Sequence, residues 1–145
     1  MNLQHLTDKF QNNSRLFQVA DRLTFAKPHR LYLKNLQGSS PEFIVAAIFN
    51  HKSTSDLNHV IVLNDAEDAA YFHNTLESLT SALDLFYFPS SFKNRKNFKL
   101  LNSSHVMLRA EMLMRLSAGG NKKIIMLPPQ NIQNRIYEIK SEKVI

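Results

Sequence analysis

The sequence contains no cysteine, and this absence excludes several kinds of chemistry. Without thiols the chain forms no disulfide, holds no metal through thiolates and has no cysteine nucleophile. Long apolar runs are also missing, since every apolar stretch falls far short of the roughly 20 residues that a membrane-spanning helix needs. The first residues, MNLQHLTDKF, are polar and mixed in charge, unlike a signal peptide. We therefore expect a cytoplasmic protein with no membrane partner.

Common catalytic and metal-binding patterns are missing as well. No two of the histidines have the H-x-x-x-H spacing of a metal site, and no serine lies in a G-x-S-x-G elbow. No D-E-x-H-like segment is present. The acidic run DAEDA is typical of a helix N-terminus, where carboxylates interact favourably with the helix dipole, and magnesium binding is the alternative. The sequence predicts no catalytic residue, no metal site and no cofactor.

What the sequence does contain is an alternation of strand-like and helix-like segments, in a chain of 145 residues that is 43% hydrophobic. Four strands are predicted, by the apolar runs LYLKNL, HVIVLN, LFYFP and KKIIMLPP. The second run is continuous, as in a strand that is buried on both faces. Hairpin signals such as Asn-Gly are absent. The pattern predicts an α/β fold, a mainly parallel sheet with helices on both faces.

The helices are predicted from apolar spacing and from capping residues. Apolar residues three and four positions apart predict one helix over about the first 25 residues. Ser40 is a candidate N-cap followed by Pro41 at the first helical position, and Asp65 is the candidate cap of the next helix. Gly119 is expected to end the helix SHVMLRAEMLMRLSA, and QNIQNRIYEIK to form a closing helix or turn.

The segment NLQGSSPE lies between a predicted strand and a predicted helix, where a nucleotide-binding protein has its phosphate loop. Aligned with G-x-x-x-x-G-K-[ST], Asn35 and Ser40 occupy the glycine positions, Pro41 the lysine position and Glu42 the hydroxyl position. Only Gly38 is left to serve a tight turn. A carboxylate repels a triphosphate and proline removes an N–H group, so we expect no ATP binding. The alternative interpretation is an ordinary turn before a capped helix, and it also predicts that the segment does not bind ATP.

The chain carries a formal net charge of +6, and part of this charge is concentrated in FKNRKNFK. Lys93, Arg95, Lys96 and Lys99 occur there with no acidic residue among them. Such a cluster is suited to a DNA backbone or an acidic protein surface, and a solvated loop is the alternative. Arg109 is a further candidate for a partner or phosphate contact. It either anchors its helix to the sheet or to a neighbouring domain, or it points into solvent with its stem packed on the surface.

Four stretches, in this order, resemble the N-terminal segment of the bacterial transcription-repair coupling factor family (Mfd), which is similar to the first domain of the excision-repair helicase UvrB. They are LYLKNLQGSSPEFIVAAIF, HVIVLNDAEDAAYFHNTLESL, LFYFPSSF and HVMLRAEMLMRLSAGGNKKIIMLPPQNI. The matching positions are Leu36 to Gly38, Asp65, Ala69, Asn74, Leu76, Phe88, Pro89, Arg109, Leu113, Pro129 and Ile132. The ending LPPQNI departs from the family's P-E-A-L type.

The resemblance implies a fold and a role. The fold is a RecA-like domain of the UvrB domain 1a type with a degenerate phosphate loop, here residues 29–145, preceded by an N-terminal helix and connector, residues 1–28. The role is that of a non-catalytic scaffold and interaction domain in a longer ATP-dependent DNA translocase. That protein displaces stalled RNA polymerase at lesions and recruits UvrA. The implied partners are the other domains of the same polypeptide and, through the full-length protein, UvrA, RNA polymerase and DNA. The alternative is a free-standing α/β domain that binds a nucleotide or a nucleic acid.

Overall fold

The computed structural model describes residues 3–28, 30–80, 85–89, 103–119 and 123–128. Three helices and a 3-10 turn come first, and from His59 onward parallel strands and helices alternate, which confirms the predicted α/β class. The elements are α1 (Leu3–Gln11), α2 (Ser14–Leu23), α3 (Ser40–Phe49), a short 3-10 helix (Lys52–Thr54), β1 (His59–Val62), α4 (Ala66–Leu79), β2 (Leu85–Tyr87), α5 (Ser103–Ser117) and β3 (Ile124–Leu127).

The three described strands form one sheet in the order β1-β3-β2. The His59 N–H donates to the Lys123 carbonyl at 2.7 Å, and the Leu63 N–H donates to the Leu127 carbonyl at 3.1 Å. Both bonds have the same sequence offset, as the register of parallel strands requires. On the other side of β3, the Phe88 N–H donates to the Met126 carbonyl at 2.8 Å. The predicted parallel sheet is thus confirmed for the described strands.

Strand β3 lies in the middle of the sheet, and all four of its residues are buried. Ile125 and Leu127 belong to a core cluster that includes Met112 of α5, so α5 covers that face. Ile124 and Met126 are 0% exposed and, because side chains alternate along a strand, belong to the opposite face. The crossovers β1–α4–β2 and β2–α5–β3 run in opposite directions across the sheet. The rule that such connections are right-handed predicts that α4 and α5 are on opposite faces.

Strand β1 differs from its prediction. The continuous apolar run HVIVLN indicated burial on both faces, but Val60 is 58% exposed and Val62 is 46% exposed. Burial alternates along the strand, so one face of β1 is open to solvent, and β1 is at the edge of the described sheet. An apolar run shows which side chains of a strand could be buried. The tertiary surroundings of the strand determine which of them are buried.

The predicted first strand, LYLKNL, is also wrong. Residues 31–36 form neither a strand nor a bridge to another strand. Tyr32 is 76% exposed and Leu33 is 45% exposed, so the segment's apolar side chains find no core. Asn35 has φ of 61°, a left-handed conformation that interrupts an extended strand. The strand propensity of this segment is not matched by a neighbouring strand in the described residues.

Residues 3–23 form two helices and not the single helix predicted over about the first 25 residues. The break is at Asn13, which is the N-cap of α2, and its side-chain oxygen accepts a hydrogen bond from the Arg15 N–H at 2.9 Å. Asparagine favours such caps because its short amide competes for backbone groups. Leu16 and Ala20 of α2 are buried as their helical spacing suggests, while Phe17 is 36% exposed.

The prediction for α4 is confirmed. Asp65 caps the helix, and its Oδ1 accepts hydrogen bonds from the Glu67 and Asp68 N–H groups, both at 2.9 Å. Ala69 and Leu76, on the predicted apolar stripe, are 0% exposed. At the end of α5, Gly119 has φ of 73°, the left-handed stop that the sequence indicated.

The chain divides into two compact units. The first comprises Met1–His59, Asn74–Leu85 and Asn121–Ile124, and the second comprises Val60–His73, Phe86–Gly120 and Ile125–Ile145. In the first unit, α3 packs against α1 and α2 around a cluster of Leu16, Ala20, Ile44, Ala47 and Ile48. In the second unit, the cluster consists of Phe86, Phe88, Met112, Ile125 and Leu127. The sequence-based division after residue 28 stays a prediction.

Two further predictions fall on residues that the structure does not describe. They are the closing helix or turn QNIQNRIYEIK and the basic segment from Lys93 to Lys99. Among the described residues, no helix has both the length and the apolar character needed to cross a membrane.

The capping interaction at α4 leads to a stability prediction. Replacing Asp65 with alanine removes the acceptor of two helix N–H groups, so we expect the free energy of unfolding to fall by about 1 kcal/mol. Urea unfolding followed by far-UV circular dichroism measures this change. Asp65→Asn keeps a side-chain acceptor and serves as the matched control, with a smaller expected loss. Equal losses in the two variants would contradict the capping role.

Candidate functional site

The turn around Gly38 is closed by its own side chains. Gly38 has φ of 53°, so a residue with a Cβ would be strained there even though the surrounding space is open. The Ser40 hydroxyl donates to the Gln37 carbonyl at 2.5 Å and accepts from the Gln37 N–H at 2.9 Å. The Ser40 hydroxyl, at the second glycine position of the alignment, is therefore engaged in holding the turn.

The N-terminus of α3 is unsuited to a phosphate. Helix α3 begins at Ser40, so its N-cap is Ser39 and not the predicted Ser40, and no side chain caps it. Pro41 is in the first turn, where it lacks an N–H group that an anion could accept from. Glu42 is in the same turn, and its Oε2 is buried with no hydrogen-bond partner among the described residues. A triphosphate placed here would meet this carboxylate at close range, which is electrostatically unfavourable.

The structure gives no support to a phosphate-loop remnant at Asn35 to Glu42. A phosphate loop connects the carboxyl end of a sheet strand to a helix, and residues 31–36 form no strand. The helix α3 is present, but the segment before it is not a strand. The alternative interpretation, a turn before a helix, agrees with the geometry.

Arg109 anchors α5 to the end of β2. Its Nη1 donates a hydrogen bond to the Pro89 carbonyl at 3.2 Å, and its guanidinium carbon lies 4.1 Å from the centre of the Phe88 ring. Phe88 is 1% exposed, so the charge is placed over a desolvated aromatic face, where cation–π attraction is strongest. The sequence left several roles open for Arg109. The structure supports the one in which its side chain anchors the helix to the sheet.

Arg115 makes a second, weaker contact of the same type. Its guanidinium carbon lies 5.5 Å from the centre of the Phe86 ring, and its Nη2 lies 2.9 Å from Oε1 of Glu111. Arg109 and Arg115 are six residues apart on α5. The structure brings both to the same strand, because they flank Met112 on α5 and because Phe86 and Phe88 alternate onto one face. The sequence signal for this arrangement is the alternation of phenylalanines in LFYFP, which places both rings on the same face of the strand.

Between these two phenylalanines lies Tyr87, on the other face of β2 by the alternation of strand side chains. Burial raises the pKa of its hydroxyl above the ordinary value, because the phenolate would lose its hydration. Tyr87 is therefore protonated throughout the neutral pH range and contributes no charge to the region.

The acidic run after β1 is occupied by local hydrogen bonds. Asp65 caps α4, and the Asn64 side-chain amide donates to Oδ2 of Asp68 at 2.9 Å. Within the ranges that the structure describes, no three histidine, aspartate or glutamate side chains are grouped so that they could hold a metal ion. The basic side chains that the sequence singled out, Lys93, Arg95, Lys96 and Lys99, lie outside the described residues.

No family model, curated protein or solved structure matches the chain.

The Arg109 anchor leads to a prediction with an internal control. Arg109→Met keeps an apolar stem but loses the hydrogen bond and the cation–π contact, so we expect a loss of about 2 kcal/mol in the free energy of unfolding. Arg115→Met removes a longer contact and a half-exposed ion pair, and its expected loss is below about 1 kcal/mol. Urea unfolding of both variants measures the difference. A larger loss for Arg115→Met would show that Arg109 is not the anchor.

Proposed function

We propose that this chain is a non-catalytic scaffold and interaction domain of a transcription-repair coupling factor. In this role it belongs to a longer polypeptide whose ATP-driven translocase displaces RNA polymerase stalled at DNA lesions and recruits UvrA. The chain itself performs no chemistry and holds no cofactor. Its direct partners are the other domains of that polypeptide.

The observation that carries the proposal is the contact of Arg109 with Phe88 and Pro89. The resemblance rests partly on a strand that ends in F-P and partly on a helix with the pattern R-x-x-x-L. In the folded chain these two motifs touch through one side chain, with a hydrogen bond to Pro89 and a ring contact to Phe88. The two motifs are separated in sequence but in contact in the fold. Their contact supports the resemblance more strongly than either motif does alone.

Other positions of the resemblance also have definite structural roles. Asp65 is the cap of α4, Ala69 is fully buried one turn later, and Leu76 is fully buried further along the same helix. These residues determine how α4 begins and which side of it enters the core. They support the proposal independently of the Gly38 turn, whose interpretation as a phosphate-loop remnant the structure does not support.

The Gly38 turn supports the non-catalytic part of the proposal by its chemistry. Glu42 places a carboxylate in the first turn of α3, and Ser40 is engaged with Gln37. Both features oppose the binding of a triphosphate. The basic cluster Lys93, Arg95, Lys96 and Lys99 is the part of the chain that we assign to a DNA backbone or to an acidic neighbouring domain, on the basis of its charge.

Absence of nucleotide binding is a direct test of the scaffold role. Isothermal titration of the purified chain with Mg-ATP should give no binding heat, because the Gly38 turn opposes phosphate electrostatically. The variant Glu42→Gln, which removes the carboxylate charge, provides the matched control for the electrostatic argument and should gain only weak affinity. Micromolar binding of Mg-ATP to the unmodified chain would favour the alternative, a free-standing nucleotide-binding domain.

The size of the native polypeptide tests the identity of the whole protein. An antibody against this chain should detect a polypeptide far larger than 16.7 kDa in a lysate of the cells from which the sequence comes. Mass spectrometry of the immunoprecipitated band should identify helicase-type motor sequences in the same polypeptide. A single band near 16.7 kDa, containing only this sequence, would overturn the proposal.

A further inference from the structure

The chain between α2 and α3 is rich in positive charge. No acidic residue occurs between Asp21 and Glu42, and the cations in that interval are Arg22, Lys27, Arg30 and Lys34. Arg22, Arg30 and Lys34 form no ion pair with any acidic side chain that the structure describes. These three cations are therefore available to an anionic partner. We call residues 22–28 and 30–36 the α2–α3 segment.

Two aromatic rings are exposed in the same segment. Phe25 is 62% exposed, and Tyr32 is 76% exposed, more than any other large apolar or aromatic side chain that the structure describes. Each ring has a cation two or three positions away on both sides. Rings and cations therefore alternate along the chain, in the order Arg22, Phe25, Lys27, Arg30, Tyr32 and Lys34.

The backbone of the segment leaves these side chains open to solvent. Residues 25–28 and 30–36 form neither helix nor strand, and every one of them except Leu31 is exposed. Pro28 disfavours a helical conformation at Lys27, and Asn35 has φ of 61°, which interrupts an extended run. The segment is accessible along its length, as a chain-like ligand requires.

We propose that the α2–α3 segment binds single-stranded nucleic acid. Each nucleotide of a single strand contributes one phosphate and one base with a flat face. The cations of the segment neutralise phosphates, and the rings of Phe25 and Tyr32 stack on bases. The alternation of rings and cations along the segment matches the bases and phosphates along the ligand. Binding does not depend on base sequence, because every base has a face on which a ring can stack.

The exposed rings favour a single strand over other polyanions. A duplex offers phosphates, but its bases are stacked on one another, so their faces are hidden. An acidic peptide offers carboxylates without a flat aromatic face. A single strand uses both the charges and the rings of the segment. The inference does not rest on the proposed function, and it concerns residues other than the basic cluster Lys93, Arg95, Lys96 and Lys99.

Fluorescence anisotropy of a labelled oligothymidine of about 12 nucleotides tests the stacking. Tyr32→Ala removes one ring, so we expect the affinity of the whole chain for this probe to fall at least about fivefold. Tyr71→Ala is the matched control, because Tyr71 is 68% exposed on α4, outside the segment, and its loss should leave the affinity unchanged. Both side chains are exposed, so the melting temperatures of the variants should stay close to that of the unmodified chain. Equal affinities of the two variants, or no binding by the unmodified chain, overturn the proposal.

Two other probes, a duplex of the same length and polyglutamate, show which anion the rings select. Tyr32→Ala should leave the affinity for both probes unchanged, because neither offers a base face to the ring. A loss for either probe equal to the loss for oligothymidine overturns the proposal.

The salt dependence of oligothymidine binding tests the cations of the segment. Lys34→Gln should reduce the slope of log affinity against log salt concentration by about 0.7, the value for one phosphate contact with a single strand. Lys9→Gln removes an exposed charge from α1 and is the matched control, with no expected change in slope. Equal slopes in the two variants would place the phosphate contacts outside the segment and overturn the proposal.

Discussion

The fold depends on β3, the strand that pairs with a neighbour on each side and is buried on both faces. Its backbone accepts hydrogen bonds from the β1 side and from the β2 side, and its four side chains are the most completely buried run among the described strands. Because parallel neighbours cannot be joined by a short turn, each crossover is long, and here each one carries a helix. Helix α5 covers the face of β3 that contains Ile125 and Leu127.

The way in which α5 covers β3 determines what the helix leaves exposed. Met112 enters the core, and the arginines on either side of it are drawn to the phenylalanines of β2. Long charged side chains that turn toward the sheet are not available to solvate the outer side of the helix. The exposed methionines and leucine are therefore a consequence of the same contacts that hold α5 in place. Anchoring the helix and presenting an apolar surface are two results of one arrangement.

Three polar side chains among the described residues stabilise the fold. The Ser40 hydroxyl closes a turn, Asp65 caps a helix, and Arg109 joins a helix to a strand. The proposed interaction role draws on residues of β2, α4 and α5 and does not draw on the strand expected before α3, which is absent.

Local interactions made part of this protein predictable from sequence. The strands at HVIVLN, LFYFP and KKIIMLPP, the Asp65 cap and the Gly119 stop all depend on a few neighbouring residues, and their periodicity or backbone conformation can be read directly. Of the candidate site residues, Arg109 could be singled out but its contacts could not. The helix that follows the Gly38 turn was also predictable, within one residue of its start.

Only the tertiary structure decided which strand is central, that LYLKNL stays outside the described sheet, and that Arg109 and Arg115 meet the same strand. The physical reason is that a strand is completed by hydrogen bonds to another segment, and a side chain is buried by residues distant in sequence. An apolar run such as LYLKNL has the propensity for a strand in any context, but propensity alone supplies no neighbour to pair with.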